Sequence, residues 1–153
     1  MRSVILLLTM LLPAGCVAQR ATPTERQHPA APLALRMHIA FPEPAAGRTA
    51  YSTGAGDTLY LAPEPVVSGE DVESARPLRV KRRPSVELTL TADGARKLAQ
   101  ATRRHLGRKL AIFVDDQIVC SPVISSAVSS KARITGDFSE QRAQQIADGL
   151  NRR

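Results

Sequence analysis

Apolar and polar residues alternate along several short stretches of the chain, which predicts strands that bury one face. The clearest stretch covers residues 35–41, and shorter ones cover residues 58–62, 86–90 and 131–135. Two apolar runs on either side of Asp115-Asp116-Gln117 predict a hairpin, although Asp116 stands where a glycine would fit the turn best. We therefore predict a sheet of at least four strands.

Two longer stretches repeat apolar residues every three or four positions, as amphipathic helices do. The first helix is predicted near residues 92–106, after the N-cap candidate Thr91 and before Gly107, which permits a left-handed stop. The second is predicted near residues 139–150, with Ser139 as its N-cap. Both helices are expected to pack on one face of the sheet.

The stretches between these elements are interpreted from their turn signals and charges. A short helix is predicted from Ser68 to Ala75, because the acid Asp71 follows the cap candidate Ser68 by three residues. Residues 45–56 are dense in Gly, Thr and Ser and predict a loop. Residues 76–84 carry several Arg and Lys and are interpreted as a solvated connection between strands.

Together these elements predict an α+β fold, with a mixed or antiparallel sheet of four or more strands and two main helices packed on one face. Residues 33–151 form a single domain in this interpretation, long enough for a modest core. The predicted core consists of Leu98, Leu106, Ile146, Leu150, Val86, Leu88, Leu90, Ile112, Val114, Ile118 and Ile134.

The N-terminal residues have the features of a secretory leader. Arg2 precedes an apolar run over residues 4–12, which is too short to span a bilayer as a mature helix. The ending Ala14-Gly15-Cys16 resembles a lipobox. We expect residues 1–15 to be a lipoprotein signal peptide, Cys16 to carry lipid and residues 16–32 to be a flexible tether. An ordinary secreted protein cut nearby and an uncleaved anchor are the alternatives.

Lipidation predicts a location in the cell envelope, anchored in a membrane and facing the periplasm. Val17, directly after the cysteine, is not the Asp that often retains lipoproteins at the inner membrane. The outer membrane is therefore favoured over the inner membrane.

The chain is basic, with a formal net charge of +7 at pH 7. It has no Trp and only 3% aromatic residues, and the aromatics are not interleaved with basic residues, so nucleic acid is not expected as a partner. Attraction to anionic headgroups or acidic surfaces fits better, and a basic solvated surface without a partner is the alternative.

The sequence contains no arrangement of residues for catalysis or metal binding. His28, His38 and His105 fall in the tether, on a strand exterior and at a helix end, which predicts no metal site. Asp115 and Asp116 belong to a turn rather than to a carboxylate pair. Cys120 lies in an alternating strand and is interpreted as a small buried residue. We expect no enzyme and no cofactor.

Three phrases in order carry a resemblance to a known family. They are Leu88-Thr-Leu-Thr-Ala-Asp-Gly-Ala95, Leu110-Ala-Ile-Phe-Val-Asp-Asp-Gln-Ile-Val-Cys-Ser-Pro-Val-Ile124 and Ile134-Thr-Gly-Asp-Phe138. This series resembles the head subdomain of the first periplasmic domain of SecD, a bacterial protein-export subunit, over about residues 57–151. The resemblance implies a periplasmic module that engages translocating polypeptide.

Two functions follow as expectations from this resemblance and from the leader. The favoured one is a non-catalytic, lipid-anchored envelope protein whose head-like module binds polypeptide or an envelope partner and is linked to protein export. The alternative is a structural accessory subunit that docks a fixed protein partner. An enzyme would need a pocket with convergent titratable residues, which the sequence does not predict.

Residues 122–130 are the candidate contact segment for polypeptide. Pro122 is expected to end regular strand pairing, which leaves the Ser-rich segment after it mobile. The candidate binding residues are Val123, Ile124, Ser126, Val128 and Ser129. The alternative is that Val123 and Ile124 cap the core.

Overall fold

The computed structural model describes residues 33–53, 56–128 and 130–152. The expected leader, Cys16 and the tether lie outside these residues, and so does Ser129. In chain order the elements are β1 Leu35–Phe41, β2 Thr49–Ser52, β3 Thr58–Leu61, β4 Val67–Ser68, a 3-10 turn Gly69–Asp71, β5 Val72–Val80, β6 Arg83–Leu90, α1 Ala92–Arg104, β7 Lys109–Val114, β8 Gln117–Cys120, β9 Lys131–Thr135 and α2 Glu140–Asn151.

The strands in the described residues form two antiparallel sheets. The first sheet has the order β2-β3-β1-β7-β8, and the short strand β4 also pairs with β1. The second sheet has the order β5-β6-β9. The predicted α+β class, with several antiparallel strands and two main helices, is confirmed. The interpretation of residues 76–84 as a solvated connection is wrong, because they form the tip half of the β5–β6 hairpin, and the sequence therefore does not predict a second sheet.

The main core combines one face of each sheet with the buried sides of both helices. Nine of the predicted core residues are buried there: Leu98, Ile146, Leu150, Val86, Leu88, Leu90, Ile112, Val114 and Ile134. The prediction is wrong for Leu106, which is 56% exposed because α1 ends before it at Arg104. Ile118 is only half-buried and faces the other side of its sheet, because the hairpin register pairs it with Phe113.

Both main helices begin at the caps that the sequence predicts. The Thr91 hydroxyl accepts a hydrogen bond from the Gly94 N–H at 3.1 Å, and the Ser139 hydroxyl accepts one from the Arg142 N–H at 3.2 Å. Helix α1 stops earlier than predicted, since His105 has already left the helical conformation and its carbonyl accepts from the Arg108 N–H at 3.1 Å in a tight turn. Gly107 then takes a φ of +78°, which its missing side chain allows.

The short helix predicted up to Ala75 is wrong. The predicted capping box at Ser68 and Asp71 is present, but it opens only the 3-10 turn, and Val72 already belongs to β5. Asp71 is buried, its carbonyl accepts from the Thr91 N–H at 2.9 Å and its carboxylate binds Lys97 Nζ at 2.8 Å. Burial acts to raise the pKa of Asp71, but hydrogen bonds from Lys97 and Ser68 outweigh it and hold that pKa below its usual range. Asp71 therefore fastens the turn to helix α1.

Two hairpins in the described residues have two-residue turns in which both central residues are left-handed. The φ angles are 48° and 65° at Lys81 and Arg82 and 50° and 65° at Asp115 and Asp116. Such turns favour Asn-Gly, because other side chains are strained at positive φ. The expected strain at Asp116 is thus present, and a second strained turn lies at the tip of the β5–β6 hairpin.

Candidate functional site

The outward face of the first sheet carries a second apolar cluster, separate from the main core. Its buried members are Ala40, Leu59, Leu61, Ala111 and Phe113, with Tyr51 and Ile118 half-buried against them. The rings of Tyr51 in β2 and Phe113 in β7 meet edge to face at 5.1 Å, although β3 and β1 lie between those strands. The sheet is therefore strongly curled, and we call this concave side the outer face.

A cavity of about 290 Å³ lies beside Tyr51 on the outer face, and we call it the Tyr51 cavity. The His38 ring is fixed there, because its Nδ1 hydrogen-bonds the Ala62 carbonyl at 2.9 Å and its ring meets that of Phe113. Arg36 pairs with Asp116 at the rim, while its buried Nε atom has no hydrogen-bond partner among the described residues. The cavity thus has an aromatic floor and a polar rim.

A second cavity, of about 360 Å³, lies where β1 ends, and we call it the Val123 groove. Its lining residues are Ala40, Phe41, Pro42, Asp57, Thr58, Leu59, Gly107, Arg108, Lys109 and Val123. The Arg48 guanidinium stacks on the neighbouring Phe41 ring at 3.6 Å from its centroid. The groove therefore has an apolar floor with cations along its border.

The sequence correctly directs attention to Val123 but misjudges how the chain is held there. Strand pairing does not stop at Pro122: its carbonyl accepts from the Leu110 N–H at 2.9 Å, and Ile124 exchanges hydrogen bonds with Arg108 and Gly107 at 2.8 and 2.9 Å. Ile124 is only 5% exposed and belongs to the main core, as the capping alternative predicts, whereas Val123 is 60% exposed.

The rest of the predicted contact segment is only partly available. Ser126 is exposed, but Val128 is half-buried, and its N–H donates to the Thr102 hydroxyl at 3.0 Å. Ser129 lies outside the described residues. Of the five candidate binding residues, the structure therefore leaves Val123 and Ser126 at the surface.

Strand β2 presents a free edge that the sequence does not predict. Thr53 and Asp57 form a hydrogen-bonded pair, in which the Thr53 N–H donates to the Asp57 carbonyl at 2.7 Å. Along an antiparallel ladder, such pairs alternate with open pairs, whose main-chain groups do not bond to each other. The pairs of Ser52 with Thr58 and of Ala50 with Tyr60 are therefore open, and the main-chain groups of Ala50 and Ser52 point away from the sheet. Tyr51 between them is a residue type that favours strands and was the available signal for β2, but the Gly- and Ser-rich residues around it favoured a loop.

The outer edge of β5 in the second sheet is partly covered. The Asn151 side chain donates to the Ala75 carbonyl at 2.8 Å and accepts from the Ala75 N–H at 2.9 Å, so helix α2 occupies the outer edge of β5. Two residues further along, Pro77 has no N–H to offer. Strands β8 and β9 lie close to each other.

A cavity of about 640 Å³ beside helix α1 is lined by several titratable side chains, namely Glu64, Asp71, Lys97, Arg104 and His105, and Lys97 and Asp71 form an ion pair there. No group of three metal-ligating side chains occurs among the residues that the structure describes, and none of their helices is long and apolar enough to cross a membrane. Burial raises the pKa of the Cys120 thiol to about 11, which keeps it protonated and unreactive at neutral pH. His105 packs edge-on against the Phe41 ring at 5.6 Å.

Comparison with known families gives a match over most of the described residues. The family described as "SecDF, P1 head subdomain" matches residues 47–152. The protein translocase subunit SecD of Aquifex aeolicus is 35% identical over 85 residues, which are 54% of this chain and 17% of that protein. The protein translocase subunit SecDF of Thermus thermophilus is 38% identical over 85 residues, 54% of this chain and 12% of that protein.

Solved structures give the same relation for the fold. A SecDF described as a membrane component that enhances protein export superposes with a TM-score of 0.63 at 25% identity, covering 79% of this chain and 63% of that one. A SecDF in a super-membrane-facing form gives a TM-score of 0.63 at 26% identity, covering 79% of this chain and 19% of that one. The chain spans no more than a fifth of the SecD and SecDF sequences named above.

Proposed function

Because this chain belongs to the SecDF P1 head subdomain family, we propose that it is a non-catalytic module of the cell envelope that binds extended polypeptide in connection with protein export. Its relatives are protein translocase subunits, and one solved SecDF is described as enhancing protein export. Since the chain corresponds to a small part of those proteins, the proposed role is that of the head module alone.

The observation that carries this proposal is the open edge of β2 beside the concave outer face. An extended chain added to β2 receives main-chain hydrogen bonds from Ala50 and Ser52, and these bonds do not depend on its sequence. Its alternate side chains would then lean over the outer face, towards the Tyr51 cavity. Such a site binds many unfolded segments with little discrimination.

The proposed site keeps part of the predicted contact segment. Val123 lines its groove with a mostly exposed side chain, and Ser126 is exposed two residues after the buried Ile124. At the border of the groove Arg108 is paired with Glu43 at 3.3 Å, so the preference for segments without positive charge rests on Lys109. Ile124 is not included in the proposed site, because its side chain is buried.

A fixed protein partner is the second candidate, favoured by the two large apolar side chains that remain exposed in the described residues. Leu106 is 56% and Val123 is 60% exposed, and the Gly107 N–H donates to the Ile124 carbonyl at 2.9 Å, which brings their main chains together. A folded partner would cover such a patch and would not need the β2 edge.

We also propose that the module is held at a membrane through lipid on Cys16, with residues 1–15 removed and residues 16–32 as a tether. The support is the apolar run before Ala14-Gly15-Cys16. The module then faces the periplasm, and the absence of Asp after the cysteine favours the outer membrane.

Replacing Cys16 with serine is expected to release the protein from membranes washed at high salt, because serine lacks the thiol that receives the lipid and the salt screens electrostatic contacts. Fractionation of cells, with mass spectrometry of the mature protein, measures the effect. Cys120→Ser is the matched control, since it removes the other cysteine and should leave the protein in the membrane fraction. Unchanged membrane association and mass in the Cys16→Ser protein would exclude the lipid anchor.

Photocrosslinking to unfolded peptides tests the binding proposal. Probes are placed at Ser52 on the β2 edge and at Ser126 beside the groove, and a control probe at Gln145 lies on the exposed side of α2. We expect crosslinks from Ser52 that unlabelled peptide competes away, with weaker ones from Ser126 and none from Gln145. Equal crosslinking from all three probes, or crosslinks from Gln145 alone, would reject this surface.

A further inference from the structure

The outward face of the second sheet is a cationic surface that the proposed polypeptide site does not use. In β6, the side chains on this outward face alternate with the buried side chains that face the core. Arg83 of β6 lies on the outward face, and strand pairing places Arg76, Lys131 and Arg133 of the neighbouring strands on the same face. The left-handed residues Lys81 and Arg82 extend the same surface at the hairpin tip, and all six cations are exposed. We call this surface the basic face.

One carboxylate stands among the paired strand residues of the basic face. Glu87 binds Arg76 at 2.9 Å and lies 3.8 Å from Arg133, so two of the cations share it. Among the described residues, Lys81, Arg82 and Arg83 have no ion-pair partner. Arg79, on the opposite side of the sheet, is neutralised by Glu140 of α2. Positive charge is therefore concentrated on one side of the second sheet.

The two cations at the hairpin tip occupy a backbone conformation that their residue types disfavour. Both Lys81 and Arg82 occupy the left-handed region, where Asn-Gly would be relaxed and bulky side chains are strained. Strained residues of this kind cluster at functional sites. In the other strained hairpin turn of the described residues, the two positions are acidic, so cations are not a requirement of such turns.

We propose that the basic face docks on the anionic headgroups of a phospholipid membrane. A three-stranded sheet offers an extended, gently twisted surface, which matches a flat layer of mobile anions better than a compact ligand. No Phe, Tyr or Trp lies in β5, β6 or β9, so stacking on nucleic-acid bases has no platform there. The contact depends neither on the lipid at Cys16 nor on the β2 edge.

The test compares vesicle binding by the full chain, with Cys16→Ser in every variant so that no lipid is attached. Partition coefficients are measured for vesicles of phosphatidylcholine with phosphatidylglycerol and for vesicles of phosphatidylcholine alone. The ratio of the first to the second is compared between variants, because apolar contacts common to both vesicles cancel in it. Lys81→Asn with Arg82→Gly is expected to lower this ratio about 30-fold at low salt, because each cation near an anionic surface contributes about fivefold. The same variant is expected to raise the urea midpoint, since it relaxes the turn.

Arg103→Gln with Arg104→Gln is the matched control. It also removes two exposed positive charges, but from helix α1, which packs on the other side of the second sheet. We expect the ratio to fall by less than about threefold in this variant, because charges beyond the Debye length contribute little. An equal fall in both variants would attribute binding to net charge alone. That result, or a ratio near one for the parent chain, would overturn the proposal.

Discussion

Replacing Leu98 with alanine is expected to lower the free energy of unfolding by about 2–5 kcal/mol, the usual range for a fully buried leucine. Leu98 is 0% exposed on the inward side of α1 and packs in the main core with residues of both sheets. Alanine favours the helix at least as well as leucine, so the loss reports packing rather than helix propensity. Urea unfolding at equilibrium measures it.

Leu106→Ala is the control for this prediction. The same atoms are removed, but Leu106 is 56% exposed beyond the end of α1, so the expected cost is below about 1 kcal/mol. Equal costs for the two substitutions would mean that the helix buries a different face from the one described.

Local periodicity predicts the elements that bury one face through their own sequence. The stretch over residues 35–41 becomes β1, and the caps Thr91 and Ser139 begin the two main helices. In each case the signal is confined to a few neighbouring residues, and the tertiary fold agrees with it. The resemblance to the SecD head adds the family, and the family match over residues 47–152 confirms it.

Elements stabilised by distant partners are those that the sequence does not reveal. Strand β5 contains Pro77 and several charged residues, which argues against a strand, yet Pro77 lies on an outer edge where its missing N–H has no consequence. Pro122 misleads for a related reason, because its carbonyl still pairs with Leu110. In both cases, the direction of the main-chain N–H and C=O groups decides whether a segment with a proline can still pair as a strand. Composition does not report that direction.

The candidate site follows the same rule. Val123 could be proposed from the apolar residues around a proline, but its separation from Ile124 depends on which face of a pairing chain each side chain occupies. The β2 edge could not be proposed, because its strand is four residues long within a segment typical of loops.

Removal of the free N–H of Ala50 is expected to have a large effect on the affinity for polypeptide. Replacing Ala50 with proline removes a donor that points away from the sheet, so the pairing of β2 with β3 should persist while pairing with an added chain is lost. The bound peptide would lose one hydrogen bond and meet the proline ring. We expect its affinity to fall at least about tenfold.

The most direct test of the polypeptide-binding proposal is therefore the dissociation constant of a fluorescent unfolded peptide, measured by anisotropy for Ala50→Pro and Ala50→Ser. Serine keeps the main-chain N–H, so that variant should bind within about twofold of the parent chain. Urea midpoints close to that of the parent would establish that both variants are folded. We expect a large loss of affinity for proline alone; equal affinities of the two folded variants would contradict pairing on the β2 edge.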